Sequence, residues 1–331
     1  LQLRVHRFDS VLSLQIMKIL VTGSSGFIGF HLIKKLLDEG HKVTGIDNVN
    51  DYYCLKLKRH RTAKLLSKNF KFIECDINNI NLEETDFDLA INLAAQAGVR
   101  VPKKIEHLYE HSNIQGFKSF CNFCLGHNIN KVIYASSSSV YSDDSLSKFC
   151  ESFTNLKPKS EYGMSKLANE QYASRMVQNN EFTMVGLRFF SVYGPFGRPD
   201  MAYYSFTEAL KRNNVITLNN DGNMYRDMTY IDDIIHGILG SIKFVIDSKN
   251  RNKNEIFNLG NDCPVKTIDL LRYLERRLNM KTIIKNIETK NESFRTHADI
   301  TKAKNLLGYD PKVDFNDGLD SFLNWHNSYE A

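Results

Sequence analysis

The chain has 331 residues, with 43 Lys and Arg against 38 Asp and Glu, 42% hydrophobic and 24% charged, the composition of a globular protein and not of a disordered or fibrous one. A net charge of +5 spread over this length, without a long run of Lys or Arg, gives a weak field and argues against a nucleic-acid-binding face. No stretch reaches the roughly 20 apolar residues that span a bilayer, because Ser24, Ser25, Asp232 and Asp233 interrupt the best candidates, so neither membrane nor nucleic acid is expected as a partner.

Residues 1–16 hold one short apolar stretch, 11–14, among Arg4, Arg7 and Asp9, which is no secretory core. Met17 therefore reads as the natural start, with 1–16 an N-terminal extension outside the fold. From Met17 the run Ile19-Leu20-Val21 enters the turn Thr22-Gly23-Ser24-Ser25-Gly26-Phe27-Ile28-Gly29. Phe27, Ile28, Leu32, Ile33, Leu36 and Leu37 then recur at helical spacing before a strand at 43–46. Glycines at G-x-x-G-x-x-G spacing between a strand and a helix fit a pyrophosphate. Gly23 and Gly26 let the backbone approach it at the positive helix end, and Gly29 lets the helix pack on the strand. Asp47 ends the next strand, eighteen residues beyond Gly29. A carboxylate there accepts from ribose hydroxyls and repels a 2′-phosphate, so NAD is expected and not NADP.

Further strands are predicted at 70–74 and 89–93, a helix at 106–125, a strand at 131–136, a helix at 163–178 and a buried strand at 184–190. The alternation predicts an α/β fold: a doubly wound parallel Rossmann sheet over 17–190, with contributions from about 227–258. Beyond Gly194, segments rich in Asn, Asp and Gly separate shorter elements, including an amphipathic helix at 270–278. Residues 191–330 are accordingly expected to form a smaller C-terminal, substrate-binding lobe over the carboxyl edge of the sheet. Six cysteines at irregular spacing fit reduced thiols and a cytoplasmic location. Cys121 and Cys124 have ligand-like spacing but lack a second pair, and no metal site is expected.

Asp76, after the third strand, is placed either to accept from an adenine amino group or to cap a helix. Leu93-Ala94-Ala95-Gln96 ends the fourth strand with residues small enough for a cofactor to lie along the backbone. Tyr162 and Lys166 stand four residues apart, on one helix face. The ammonium, with a positive nicotinamide, would lower the phenol pKa, so that Tyr162 removes a hydroxyl proton while hydride leaves the carbon. The serine run 136–139 ends a predicted strand, its Ser137 twenty-five residues before Tyr162, where its hydroxyls can reach the same substrate oxygen.

In this order the glycine turn, Asp47, the serine run and the Tyr-Lys pair resemble the extended short-chain dehydrogenases/reductases, in the nucleotide-sugar epimerase and dehydratase group, from Met17 to about Trp325. The resemblance implies Ser137, Tyr162 and Lys166 as catalytic residues. It implies a cofactor site of Gly23, Ser25, Gly26, Phe27, Ile28, Gly29, Asp47, Asn48, Asp76, Ile77, Leu93, Ala94, Ala95, Gln96, Ser136, Tyr162 and Lys166. Ser142 departs from the glycine usual in the group. Dehydratases of the group carry an Asp-Glu pair where this chain has Ser138-Ser139, and the decarboxylases place a Glu at Ser139, so both acid-dependent relatives are disfavoured. The segments 94–100 and 188–202 resemble UDP-glucuronate 4-epimerases, with Ser191 for the usual Thr and Phe196 for the usual Trp.

What that subgroup implies is NAD-dependent conversion of UDP-glucuronate to UDP-galacturonate through a 4-keto sugar, with hydride removed, the sugar rotated and hydride returned. The implied substrate residues are Ser137, Ser138, Ser139, Ser191, Arg198, Arg226 and Glu292: the serines on the sugar and its carboxylate, Arg198 on the rotation, Arg226 on the diphosphate and Glu292 beside the uridine ribose. A homodimer through the helices at 106–125 and 163–178, serving surface polysaccharide synthesis, is implied as well. The rival readings are a UDP-glucose or UDP-N-acetylhexosamine 4-epimerase, disfavoured by Ser191, and a UDP-glucuronate decarboxylase, disfavoured by Ser139. From a different class comes a non-catalytic NAD-binding sensor, a kind of protein that commonly lacks the Tyr-Lys pair kept here.

Overall fold

The computed structural model describes residues 16–99, 101–141, 147–289 and 293–330. The expected extension (save Ile16), Arg100, Ser142 and Glu292 lie outside the described residues.

Strands apolar at consecutive positions, not alternating ones, build the centre of the molecule, as a sheet covered on both faces requires. In chain order come β1 (Lys18–Thr22), α1 (Phe27–Asp38), β2 (Lys42–Asp47), α2 (Leu55–Leu65), β3 (Phe70–Glu74), β4 (Leu89–Asn92), α3 (Gly116–Gly126), β5 (Lys131–Ser137), α4 (Glu161–Asn179) and β6 (Thr183–Phe189). Every residue of β4 and of β6 is buried. After these follow β7 (Ser191–Tyr193), α5 (Ala202–Lys211), β8 (Ile216–Asn219), β9 (Tyr225–Tyr230), α6 (Ile231–Ile246), β10 (Asn254–Leu259), β11 (Pro264–Lys266), α7 (Thr267–Leu278), β12 (Ile284–Ile287), α8 (Thr301–Leu307) and α9 (Phe315–Glu330).

The seven-stranded sheet runs β10-β6-β5-β4-β1-β2-β3, all parallel. Strand order reverses between β1 and β4, so the crevice beyond their carboxyl ends is the topological switch point where such sheets bind ligands. On one face α6 buries Ile231, Ile234, Ile235, Ile238 and Ile242. On the other, α3 buries Phe117, Phe120, Cys121 and Cys124 in one cluster with Tyr134 and Phe182, so both cysteines are core residues, and burial pushes their thiols up. A three-stranded sheet, β11-β9-β7, and the pair β12-β8 stand apart from the large sheet, while α6 and β10 return the chain to it. No helix among the described residues is long and apolar enough to cross a membrane.

The helix expected over 106–125 is interrupted. A 3₁₀ turn (Lys103–Ile105) and a π-helical stretch (Tyr109–Gln115) precede α3. Asn113 supplies the reason: its Oδ1 accepts from the Gln96 N–H at 2.8 Å, and its Nδ2 donates to the Gln96 carbonyl at 3.2 Å and to Ser165 Oγ at 3.0 Å. Widening the helix there turns a side-chain amide onto the backbone that leaves β4 and onto α4, a local price in regularity that often marks a functional site.

Candidate active site

The glycine turn between β1 and α1 is set by backbone crowding. Gly23 has φ +72°, and a Cβ on it would stand 2.7 Å from the Leu93 carbonyl carbon and the Ala94 nitrogen, while one on Gly29 would collide with the Gly23 carbonyl oxygen. The turn is thus pressed against the exit of β4 as well as against its own helix. Gly26, the residue before helix α1, gives it no side-chain cap, and the first turn of the helix holds no acidic residue. The unpaired N–H groups and positive end of the helix macrodipole remain for an anion at the switch point. Asp47 accepts the Ser25 N–H at 3.0 Å and the Val49 N–H at 2.8 Å, which fixes its carboxylate against the turn. Burial raises its pKa, and the nearby Lys58 ammonium opposes the rise.

Asp76 is a cap. Its Oδ1 accepts from the Asn78 backbone N–H at 2.9 Å and the Asn78 side chain at 3.1 Å, and its Oδ2 from Asn48 Nδ2 at 3.2 Å. That is one of the two roles open to it in the sequence, and its neighbours Asn48 and Ile77, with Leu93, Ala94, Ala95 and Gln96, border the cleft.

At the exit of β5, Ser137 Oγ accepts the Ser139 N–H and donates to Ser139 Oγ, both at 3.1 Å. Helix α4 begins with Ser160 Oγ accepting the Gly163 N–H at 3.0 Å. Gly163 is required there, because a Cβ would collide with the Ser139 carbonyl oxygen. That close approach delivers Tyr162 to the serine run, where its phenol hydrogen-bonds Ser137. Lys166 is buried, with Nζ 5.8 Å from the centre of the Tyr162 ring and donating to the Ala135 carbonyl at 3.0 Å. Burial lowers its pKa to about 8.

The phenol itself is pushed up by burial, and what opposes that rise is first the charge of Arg198 and then the hydrogen bond with Ser137. The sequence assigned this electrostatic task to Lys166. In the folded chain Lys166 gives one of its three donors to a carbonyl and still stands beside the ring, while Arg198, which lines the same cleft, adds a second cation. Ser136 is held by a separate network. It borders the cleft, but its hydroxyl donates to Glu170 at 2.5 Å, inside a buried network in which Arg188 grips Glu170 at 2.8 and 2.7 Å and Tyr141 at 2.8 Å. Its hydroxyl proton therefore goes to the network that supports the strand.

Across the cleft stand Ser191, at the start of β7, and Arg198, whose Nε donates to Asp200 at 3.0 Å and whose Nη2 also pairs with that carboxylate. Tyr52 donates to the same Asp200 at 3.3 Å. Arg226 bonds the Tyr225 and Ser293 carbonyls at 2.9 and 2.8 Å, and its neighbour Asp227 is wholly buried, accepting the N–H groups of Asn261, Asp262 and Ala298. One continuous cleft of about 930 Å³ joins Gly26 and Asp47 to Ser137, Ser138, Ser139, Tyr162, Lys166, Ser191, Arg198 and Arg226. Such a volume lies at the upper end of the roughly 300–1,000 Å³ usual for small-molecule sites. Tyr52, Lys58, Tyr109 and Asp200 line it too and were not found from sequence: Tyr52 and Asp200 come from loops and Tyr109 from the π-helical stretch, where no periodicity marks them, and Lys58 from α2, a helix not predicted from the sequence. Among the described residues no group of three His, Cys, Asp or Glu could hold a metal.

Comparison with known proteins agrees with this arrangement. Residues 19–260 match the NAD dependent epimerase/dehydratase family. The chain belongs to that family. It is 43% identical over 316 residues to an uncharacterized protein of Methanocaldococcus jannaschii, covering 93% of this chain and 95% of the relative. It is 40% identical over 330 residues to UDP-glucuronate 4-epimerase 4 of Arabidopsis thaliana, covering 94% and 75%. Among solved structures, the UDP-glucuronic acid 4-epimerase of Bacillus cereus in complex with UDP-glucuronic acid and NAD superposes with a TM-score of 0.87 at 33% identity, covering 95% of this chain and 100% of that one.

Proposed function

We propose that this protein is an NAD-dependent UDP-glucuronate 4-epimerase, producing UDP-galacturonate. The observation that carries the reading is the single cleft in which a dinucleotide-type glycine turn and Asp47 meet Tyr162, Lys166 and a wall of serine hydroxyls with no acid among Ser137, Ser138 and Ser139. The similarity to the Arabidopsis and Bacillus enzymes supports it.

The residues present fit NAD. The uncapped, acid-free N-terminus of α1 would take the pyrophosphate, Asp47 the adenosine ribose, and Leu93 to Gln96 the path toward Tyr162 and Lys166. Bound NAD supplies a reversible hydride acceptor for sugar C4. Tyr162 takes and later returns the C4 hydroxyl proton, with Ser137 bonded to both phenol and substrate oxygen. Arg198 and Lys166 favour the phenolate, as cations beside an acid do. Arg226 receives the diphosphate, for which a fixed guanidinium is suited. A glucuronate oxidised at C4 is a β-keto acid and prone to lose carbon dioxide. Ser138, Ser139 and Ser191 hold the carboxylate near the carbonyl plane, where the breaking C5–C6 bond overlaps poorly with the carbonyl, and the run Ser137-Ser138-Ser139 supplies no carboxyl group to protonate the resulting carbanion. Arg198 guides the turn of the keto sugar between the two hydride steps. The enzyme acts in the cytoplasm as a homodimer and serves surface polysaccharide synthesis.

The test is incubation of purified protein with UDP-glucuronate, with and without added NAD, following products by ion exchange and proton NMR. UDP-galacturonate without pentose is expected. UDP-xylose or a 4-keto pentose would make the chain a decarboxylase, and interconversion of UDP-glucose and UDP-galactose alone would overturn the role given to the serines.

A further inference from the structure

The three residues that precede Arg198 are held by side chains from the opposite half of the molecule. On α2, Arg61 is fully buried. Its Nε and Nη2 donate to the Phe196 carbonyl at 3.1 and 2.6 Å, Nη2 also to the Gly197 carbonyl at 3.0 Å, and Nη1 to the Ser25 carbonyl at 3.0 Å and the Tyr53 hydroxyl at 2.6 Å. On α1, His31 Nε2 bonds the Pro195 carbonyl at 2.9 Å, and burial lowers its pKa to about 4, so the ring is the neutral tautomer that donates from Nε2. Successive carbonyls 195, 196 and 197 are thereby gripped from the two helices that flank the cofactor turn. Phe196 sits at φ 57°, a left-handed conformation rare for a residue with a side chain. Its ring is wedged between Phe30 at 4.7 Å and Trp325 at 4.9 Å.

A guanidinium buried without a bonded carboxylate is costly. None of Arg61's hydrogen bonds among the described residues goes to an acid, and a neutral side chain would suffice to fill the space. What only Arg supplies is a rigid fork of five N–H donors able to hold carbonyls on two different loops at once. The linkage runs from Asp47 through the Ser25 backbone to Arg61, then to Phe196 and Gly197, and ends at Arg198 beside Tyr162. We propose, building on the epimerase reading above, that Arg61 and His31 are positioning residues for the reaction: they suspend the Arg198 loop from the cofactor turn and set the place of its guanidinium over the sugar site. They touch neither sugar nor phenol and act through Arg198.

Turnover of UDP-glucuronate by the purified holoenzyme, with wild type, R61M, R198M and the double variant, tests this, with thermal denaturation run on each. Misplacement of a reacting group by about 1 Å can cost ~100-fold, so R61M is expected to lower kcat by roughly that factor with KM within about threefold. The double variant is expected to fall no further than R198M alone, since both remove one shared interaction. Unchanged kcat in R61M, a loss confined to KM, or losses that multiply in the double variant would each overturn the proposal. Should R61M not fold, the same cycle with H31F, which keeps the ring packing and removes only the bond to Pro195, decides by the same criteria with a smaller drop. The wild-type assay separates this question from the assignment itself. If wild type turns over a different UDP-sugar, the substrate reading fails, and the cycle run on that sugar still judges the clamp.

Discussion

Lys166 and Tyr162 titrate against the grain of their residue types. Burial holds the ammonium to about 8, well below its ordinary 10.5, so in the folded chain it loses its proton as pH rises through about 8. Two opposite consequences follow. Support for the Tyr162 phenolate is lost there, so kcat should decline on the alkaline side with a midpoint near 8, and K166M, at its residual rate, should lack that decline in a pH–rate profile. Stability moves the other way: between about 8 and 10.5 the unfolded chain binds the proton that the native chain has released, so this group's contribution to unfolding free energy grows with pH. For Arg198, whose charge lowers the Tyr162 phenol, R198M should move the acid limb of the same profile upward. At the carboxylate wall, S139E restores an acid beside the keto sugar and should raise the fraction of pentose products measured by NMR; an unchanged product ratio would count against the role of the hydroxyls.

Elements were legible to the degree that their signal was local. The run Ile19-Leu20-Val21, the glycine turn and the helical spacing of Phe27 to Leu37 reappear as β1, its turn and α1, because backbone crowding and apolar periodicity act over a few residues. The stretch 106–125 was legible only as helical. Its π-helical segment exists because Asn113 reaches the Gln96 backbone, a partner seventeen residues away that periodicity cannot report. N113A would strand that N–H and carbonyl, each at a cost of about 1–3 kcal/mol. A lower denaturant midpoint, with turnover reduced because Gln96 and Tyr109 border the cleft, is the expected outcome.

At the scale of the molecule, the chain leaves the large sheet after β6, builds β7 to β9, and comes back with α6 and β10, which pairs with β6 along six residues. An interleaved path of this kind gives the two parts common elements, so they should unfold together. Fluorescence of Trp325, the single tryptophan, reports α9 in the later part, and far-ultraviolet circular dichroism reports the whole; coincident thermal transitions are expected, both raised by added NAD. Separate transitions would mean that the parts are thermodynamically independent.

The sequence by itself determined the parallel α/β sheet, the cofactor turn with Asp47, and the Tyr162–Lys166 pair, because each rests on spacing within one element or across one turn. The tertiary structure alone decided that Ser136 faces Glu170, that Asp76 caps the turn after β3, that Arg198 joins Lys166 as a second cation at the phenol, and that Arg61 and His31 grip the loop carrying it. The physical reason is distance along the chain. Arg61 and Phe196 are 135 residues apart and meet only once the sheet has folded, and hydrogen bonds and Coulomb forces depend on separation in space, which no local pattern of residues encodes.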